Sequence, residues 1–320
     1  GVGVGWYVVY VRDHAIDRGL LDDAISPRTD AYRVVVPVAN PKTQRDLLRL
    51  AAATARAHAD EKTPELVAVN VIQRAEPSPE QNIAAERLER QHHLLEATRE
   101  IATEIGVSLR TVAMTGRHVD ETILEAILEE NADQVLLGWE GTRTRQGHVF
   151  GPNLDSVVEN APCEVCLVTL HDKTIGTTVA LADLGPHSPS AARRAAEFAT
   201  VDATVPTLLN VQQPAHDSES AVERGEAVLE EVAREAGLEP EEYKSEVVVA
   251  DDTETAILET VNHYTTICVG LSERSDASRM IFGTIAERIS QEATSNVGIV
   301  RGPPGAAETV VHPREEQLPK

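Results

Sequence analysis

Two sets of glycines have the spacing of an anion-binding loop. In the first set Gly138 ends a short apolar run, Gly141 follows three residues later, and Gly151 precedes a helical pattern. The second set has Gly270 at the end of a similar run and Gly283-Thr284 before a helical pattern, 132 residues downstream. Glycines allow close approach of the backbone, and the first N–H groups of a helix are unpaired and point outward. The two loops therefore predict sites with the geometry to hold a phosphate group.

A repeated order of apolar strands and amphipathic helices positions the two loops. In the first half we predict strands at residues 32–39, 66–72, 109–114, 134–137 and 164–170, with helices at 43–58, 79–105, 120–131 and from 153. In the second half we predict strands at 178–182, 207–211, 245–249, 266–269 and 297–300, with helices at 189–200, 218–236, 253–262 and 284–293. The strands are apolar without alternation, as is typical of parallel strands covered on both faces. The fold class predicted is α/β, with two tandem open, parallel five-stranded, Rossmann-like domains.

Composition divides the chain into five segments. We predict the end of a transmembrane helix at 1–11, a linker at 12–30, domains at 31–170 and 176–301, and a disordered acidic tail at 302–320. About eleven apolar residues are too few to span a bilayer, which takes roughly twenty. Aromatic residues at 6, 7 and 10 fit an interfacial belt, and arginines follow at 12 and 18 as cytoplasmic positive charges. The alternative is a disordered or amphipathic extension of a soluble protein.

The net charge of −23 is extreme for 320 residues. A surface this negative repels nucleic-acid phosphates, so we exclude nucleic acid as a partner. Lysine occurs only at residues 42, 62, 173, 244 and 320. An acidic, lysine-poor surface is typical of a protein from a halophile, and an acidic mesophilic protein is the alternative. Aromatic residues make up only 3% of the chain, so the cores must be built from Val, Ile, Leu and Ala.

Residue types that commonly perform catalysis do not form a recognisable set. Cys163 and Cys166 are three apart in an apolar strand, so they point to opposite faces and are predicted to be buried strand cysteines. His148 lies in the first glycine loop, where it could contact a ligand, although a surface histidine is the alternative. No Ser/His/Asp set or metal-ligand spacing stands out. We therefore predict neither enzymatic activity nor a metal site.

The first glycine loop carries a family resemblance. Gly138-x2-Gly141-x9-Gly151 comes after the fourth predicted strand, and a helix and Ala161-Pro162-Cys163-Glu164-Val165 follow it. This pattern resembles the universal stress protein (UspA) family, whose signature is G-x2-G-x9-G followed by Ser or Thr. The resemblance covers residues 31–170 and 176–301. It implies a five-stranded parallel α/β fold and, in many members, binding of ATP.

The family's nucleotide positions are divided between the two repeats. ATP-binding members have an Asp at the end of strand one, which the second repeat supplies as Asp183 and the first replaces with Ala39-Asn40. The hydroxyl residue after the last glycine is Thr284 in the second repeat and is replaced by Pro152 in the first. Glu273 stands where the second repeat's middle glycine belongs, and its carboxylate would repel a triphosphate. The alternatives are a degenerate scaffold in the first repeat and, for Asp183, an ordinary turn residue. The resemblance implies ATP or another adenine nucleotide at Asp183, Gly270, Gly283 and Thr284, and a weaker site at Gly138, Gly141 and Gly151.

The apolar start carries a second resemblance, over about a dozen residues. Gly5-Trp6-Tyr7-Val8-Val9-Tyr10-Val11-Arg12 is similar to the end of the last transmembrane helix in APC-superfamily amino-acid permeases. Some prokaryotic permeases of this kind carry tandem stress-protein domains as a cytoplasmic tail. The strand-one form Val36-Pro37-Val38-Ala39-Asn40-Pro41 is similar to those attached domains, whereas free-standing ones usually have Val-Asp-Gly-Ser.

These observations predict a regulatory module on the cytoplasmic side of the cell membrane, attached to an amino-acid transporter and without catalysis of its own. Its expected partners are the transporter's membrane domain and, in a homodimer, a second copy of the chain. The resemblance also implies that the two domains pair with each other as a pseudo-dimer through their fifth strands. The alternative is a free-standing soluble tandem stress protein that binds ATP in the second domain.

Overall fold

A computed structural model describes residues 30–73, 94, 96–98, 100, 101, 103–139, 152–214, 218–271 and 284–306. The first five strands are β1 Ala31–Pro37, β2 Thr63–Gln73, β3 Ser108–Gly116, β4 Gln134–Gly138 and β5 Glu164–Thr169. The other five are β6 Thr178–Leu181, β7 Thr207–Gln212, β8 Lys244–Val249, β9 Thr266–Gly270 and β10 Asn296–Arg301. The helices are α1 Gln44–Ala57, α2 Val119–Glu129, α3 Pro152–Asn160, α4 Ser188–Ala199, α5 Ser218–Ala236, α6 Thr253–Val261 and α7 Thr284–Glu292. The described residues between 94 and 105 are also helical.

The ten strands form one sheet in the order β3-β2-β1-β4-β5-β10-β9-β6-β7-β8. Strands within each half are parallel, as predicted for two Rossmann-like units. The halves meet where β5 and β10 pair antiparallel, with residues 165–169 opposite 301–297. The fifth strands therefore join the two units about a pseudo-twofold axis, which is the pairing expected from the sequence.

Each face of the sheet is covered by a separate apolar cluster. Val34 and Val36 of β1 pack with α1 and α4 on one face, while Val35 packs with α2 and α7 on the other. This alternation within an apolar strand is why the strands have no polar face. Alanines dominate the inner faces of α1 and α4, and small side chains allow both helices to lie close to the sheet. The core is built mainly from Val, Ile, Leu and Ala, as the composition required.

Strand ends differ from the prediction more than strand centres do. The second strand was predicted from residue 66 but begins at Thr63, and the third continues to Gly116. The extra residues are polar, and Glu65 is buried because Arg33 and Arg110 both donate to its carboxylate. Those two guanidiniums outweigh burial and hold the pKa of Glu65 below its usual value. The hydrophobic pattern in the sequence therefore ends before the hydrogen-bonded pairing between the strands ends.

Both ends of the chain lie partly outside the described residues. The predicted end of a transmembrane helix and the linker as far as residue 29 lie outside the described residues. Residues 79–93 of the predicted second helix and residues 307–320 lie outside them as well. The remaining part of the long second helix ends at Gly106, whose φ of 73° is a left-handed conformation that glycine adopts readily. Gly302, assigned from sequence to the tail, is buried and donates to His187 Nδ1. Among the described residues no helix has both the length and the apolarity needed to cross a membrane.

The cysteines lie in the core on both faces of the sheet. Cys163 packs in the cluster that covers the α2 face, and Cys166 in the cluster that covers the α1 face. Burial raises the pKa of each of these two thiols to about 12, so both are neutral at physiological pH. All three cysteines are free and buried, which agrees with the prediction of buried strand cysteines.

Leu167 tests how much the antiparallel seam contributes to stability. It lies opposite Ile299 and is 1% exposed. Leu167→Ala is expected to lower the free energy of unfolding by about 2–5 kcal/mol, because a cavity is left in a core shared by both halves. Leu184→Ala is the matched control, since Leu184 is 67% exposed and the change should lie within about 0.5 kcal/mol. Urea unfolding monitored by circular dichroism measures both, and equal effects would contradict a shared core at the seam.

Candidate functional site

The candidate sites lie at the carboxyl ends of the strands, where the chain direction reverses. In the first half the chain leaves β1 towards β2 and leaves β4 towards β5, although β1 and β4 are neighbours. In the second half β6 and β9 are the corresponding neighbours. Such a switch point leaves a crevice between two diverging loops, which is where open α/β sheets bind their ligands.

A cavity of about 380 Å³ occupies the switch point of the first half. It is lined by the ends of β1, β4 and β5 and by the start of α1: Pro37, Ala39, Asn40, Thr43, Leu47, Gly138, Trp139, Val168, Thr169, Leu170 and His171. Thr169 is 2% exposed, and its Oγ1 has no hydrogen-bond partner among the residues that the structure describes. The lining contains no Lys, Arg, Asp or Glu, so this part of the crevice suits an uncharged group better than a phosphate.

A buried asparagine holds the end of strand one in both halves. Asn70 Nδ2 donates to Val38 O at 2.8 Å, and Asn210 Nδ2 donates to Ala182 O at 2.7 Å. Each asparagine connects strand two to the end of strand one beside a switch point, so the two crevices are built on equivalent scaffolds. The sequence analysis missed this pair. An asparagine within an otherwise apolar second strand, at the same position in both repeats, is the feature that could have revealed it.

In the second half the Asp183 carboxylate takes part in a turn. Asp183 Oδ1 accepts the Gly185 N–H at 2.8 Å, and the Asp183 N–H donates to Ser188 Oγ at 2.9 Å. Asp183 is exposed at the mouth of the crevice. This geometry fits the alternative of a strand-end turn residue.

The second crevice differs from the first in what lies against its strand-four glycine. A Cβ added to Gly270 would lie 2.9 Å from the backbone carbon of His187 and 3.1 Å from Ser188 N. A Cβ added to Gly138 would instead meet Leu47 Cδ1 at 2.9 Å, the flexible end of a side chain. The start of α4 is therefore packed directly on β9, whereas in the first half only a side chain lies there.

The remaining predicted site residues are described only in part. Helices begin at Pro152 and Thr284, as the motif predicts, although their side chains are not described. Residues 141, 151, 273 and 283, together with His148, lie outside the described residues. The structure brings Asp183 and Gly270 to one switch point and Gly138 to the other. The nucleotide contacts assigned to these residues stay a prediction.

Acidic, histidine and cysteine side chains do not assemble into a metal site in the part of the chain that the structure describes. His118 precedes α2 and is exposed. It is not among the residues that line the cavity of the first half.

Two tandem α/β units, each with a switch point at the carboxyl ends of its strands, define the class of fold. The Universal stress protein family matches residues 31–169 and 176–301, and the chain belongs to that family. Domains of this family are generally non-catalytic nucleotide binders.

Three similar proteins cover both domains. A universal stress protein from Archaeoglobus fulgidus DSM 4304 is 16% identical, with a TM-score of 0.57 over 85% of this chain and 97% of that one. The cytoplasmic domain of a prokaryotic cation chloride cotransporter is 12% identical, with a TM-score of 0.53 over 85% of this chain and 96% of that one. The Na(+)/H(+) antiporter NhaS5 of Synechocystis is 23% identical over 276 residues, which are 85% of this chain and 38% of the antiporter. The chain thus spans about two fifths of that relative.

Shorter stress-protein structures hold adenine nucleotides. One was solved with cAMP and one, from Archaeoglobus fulgidus, with dAMP. They are 18% and 16% identical, each covers 43% of this chain, and their TM-scores are 0.30 and 0.33. These complexes describe those two proteins alone.

The two strand-four glycines should differ in their tolerance of alanine. Gly270→Ala places a methyl group against backbone atoms that cannot rotate away, and we expect it to cost about 1–3 kcal/mol. Gly138→Ala should cost less, because Leu47 can change rotamer. Chemical denaturation of both variants measures the difference. A larger cost for Gly138→Ala would contradict the close packing of α4 on β9.

Proposed function

We propose that this chain is a regulatory module on the cytoplasmic side of a membrane transporter, with two universal stress protein domains that respond to a bound adenine nucleotide. The observation that carries the proposal is the continuous ten-stranded sheet, because it makes the two domains one unit able to transmit a change. A cotransporter's cytoplasmic domain of similar fold and an antiporter similar over this region support the attachment. The same module could work as a free-standing tandem stress protein, which is the second candidate.

We propose two classes of transported substrate, and a different observation supports each. The resemblance of residues 5–12 to an amino-acid permease favours an amino acid. The two transporter relatives are named for cations, which favours an ion. In either case the chain's proposed partners are the membrane part of the transporter and, in a homodimer, a second copy of the chain. The net charge of −23 disfavours nucleic acid.

The nucleotide is proposed to bind in the second domain. Asp183 and Gly270 lie at its switch point, and α7 begins at Thr284, where helix N–H groups and a hydroxyl can meet a phosphate. The first domain contributes the cavity at Thr169, whose uncharged lining suits a nucleoside better than a triphosphate. Binding regulates a transporter only if the nucleotide has different affinities for two transporter states.

Titration of the 320-residue chain with ATP in about 2 M KCl tests the second-domain site, because such salt screens the acidic surface. Thr284→Ala should weaken binding about tenfold, the equivalent of one hydrogen bond to a charged group. Asp183→Asn should also weaken it, while its amide oxygen keeps the turn to Gly185 intact.

Thr169→Val is the matched control, because it removes a hydroxyl from the first domain and keeps the side-chain shape. Affinity unchanged by Thr284→Ala and Asp183→Asn would refute the second-domain site. Affinity lowered only by Thr169→Val would place the nucleotide in the first-domain cavity instead.

The reading frame upstream of Gly1 tests the attachment to a transporter. We expect it to encode several apolar segments of about twenty residues, each long enough to span a bilayer. The sequence of the complete gene is the measurement. An initiator Met close to Gly1, with no such segments before it, would leave the free-standing protein as the surviving candidate.

A further inference from the structure

A buried charged cluster crosses the boundary between the two domains. Arg194 of α4 is 1% exposed, and its guanidinium contacts the carboxylates of Glu164 and Glu197. Its Nη1 also donates to Thr54 Oγ1 at 2.6 Å. Glu164 begins β5 and Thr54 lies on α1, so one side chain of the second domain is held by two residues of the first. We call Arg194, Glu164, Glu197, Thr54 and His58 the boundary cluster.

The boundary cluster has more negative than positive charge. Arg194 faces two carboxylates that are both buried, and charges removed from water are costly unless they are paired. Burial lowers the pKa of Arg194, but the charges of Glu197 and Glu164 outweigh it and raise that pKa above its usual value. The guanidinium therefore stays charged, and Arg193 at the rim supplies a second positive charge 3.9 Å from Glu164.

His58 lies beside the Glu197 carboxylate. Its Nε2 is 3.6 Å from Glu197 Oε1, and neither atom has a hydrogen-bond partner among the described residues. The His58 ring stacks on Tyr32 with centroids 3.8 Å apart and planes 12° apart, which fixes the direction of Nε2. The His58 side chain is 23% exposed, although its Nε2 atom is buried.

The other charged groups described around this pair contact atoms other than Glu197 Oε1, so that oxygen faces His58. Lys62 lies 5.6 Å from the Tyr32 ring centre and pairs with Asp133. Arg193 approaches Glu164 at 3.9 Å from the rim, on the other carboxylate. Burial raises the pKa of Tyr32, against the opposing charge of Arg194, so its phenol stays neutral.

We propose that His58 makes the joint between the two domains proton-sensitive: a protonated His58 pairs with Glu197 and tightens the docking of α4 against α1. A neutral imidazole leaves Glu197 Oε1 without a hydrogen bond from the described residues. A protonated imidazole donates a charge-assisted hydrogen bond to it, which is stronger than a neutral one. Histidine ordinarily titrates near about pH 6.5. The added stability is therefore present where His58 is protonated and is lost as the pH rises and the imidazole becomes neutral.

The direction of this pH dependence distinguishes the His58–Glu197 pair from most other ion pairs. Acidification weakens most ion pairs because it protonates carboxylates, whereas this pair forms on acidification. Because the boundary cluster is largely buried, salt should screen it much less than it screens surface pairs. The proposal concerns the domain joint alone and does not depend on a nucleotide or on a transporter.

The test is the thermal midpoint of the 320-residue chain at pH 8 and pH 6, followed by circular dichroism at fixed ionic strength. On going from pH 8 to pH 6, we expect the wild-type midpoint to gain about 1–2 °C relative to His58→Gln, the shift that about 1 kcal/mol produces in a chain of 320 residues. Glu197→Gln should lose the same pH-dependent gain, because its amide gives no charge for His58 to pair with.

His263→Gln is the matched control, because His263 is exposed and follows α6, outside the boundary cluster. It should keep the wild-type response. A wild-type response in His58→Gln, or an equal loss in His263→Gln, overturns the proposal. If His58→Gln fails to fold, Glu197→Gln decides, since a wild-type response in that variant overturns the proposal as well.

Discussion

The antiparallel pairing of β5 with β10 is the contact on which the rest of the structure depends. A parallel five-stranded unit ends in an open edge, and an open edge with apolar side chains is prone to unwanted pairing. Here each fifth strand covers the other, with five residues of each strand in register. Arg301 adds to the seam from β10, because its guanidinium donates to Ala161 O and Cys163 O of the first domain. The two units therefore form one sheet and share their core at the seam.

The pairing also explains why the two switch points can diverge while the scaffold stays equivalent. Trp139 N–H donates to Val168 O in the first half, and Leu271 N–H donates to Val300 O in the second, both at 2.8 Å. These matched bonds hold strand four to strand five in each unit. What differs is the start of the helix after strand one, which leaves a cavity beside Gly138 and packs against Gly270. The sheet is thus equivalent in the two halves, whereas the start of the helix after strand one is not.

The sequence was sufficient for the fold because the fold depends on repeated local patterns. Apolar strands, amphipathic helices and glycines repeat at one offset, so the strands could be predicted without any contact being known, whereas the pairing of the halves was implied by the family resemblance. Side-chain roles could not be predicted in the same way. Asp183 has the residue type of a nucleotide contact, but its turn to Gly185 depends on local backbone geometry. Thr169 looks like an ordinary strand residue until β1 and β4 are placed beside it.

The boundary cluster shows the same limit more clearly. Glu164 and Arg194 are 30 residues apart in sequence and belong to different domains, so no periodic pattern links them. His58 was predicted only as the last residue of a helix. Its role depends on Tyr32, which fixes the ring, and on Glu197, which α4 brings to it. Contacts of this kind exist only after the two units have been joined.

One strand connects the boundary cluster to the first-domain cavity. Glu164 begins β5 and contacts Arg194, while Thr169 ends β5 and lines the cavity, about 17 Å further along at the usual rise of a strand. β5 is also the strand that pairs with β10. A change at either end therefore acts on the element that joins the domains, and coupling between two binding equilibria is reciprocal. β5 therefore carries a residue of the boundary cluster at one end and a residue of the cavity at the other.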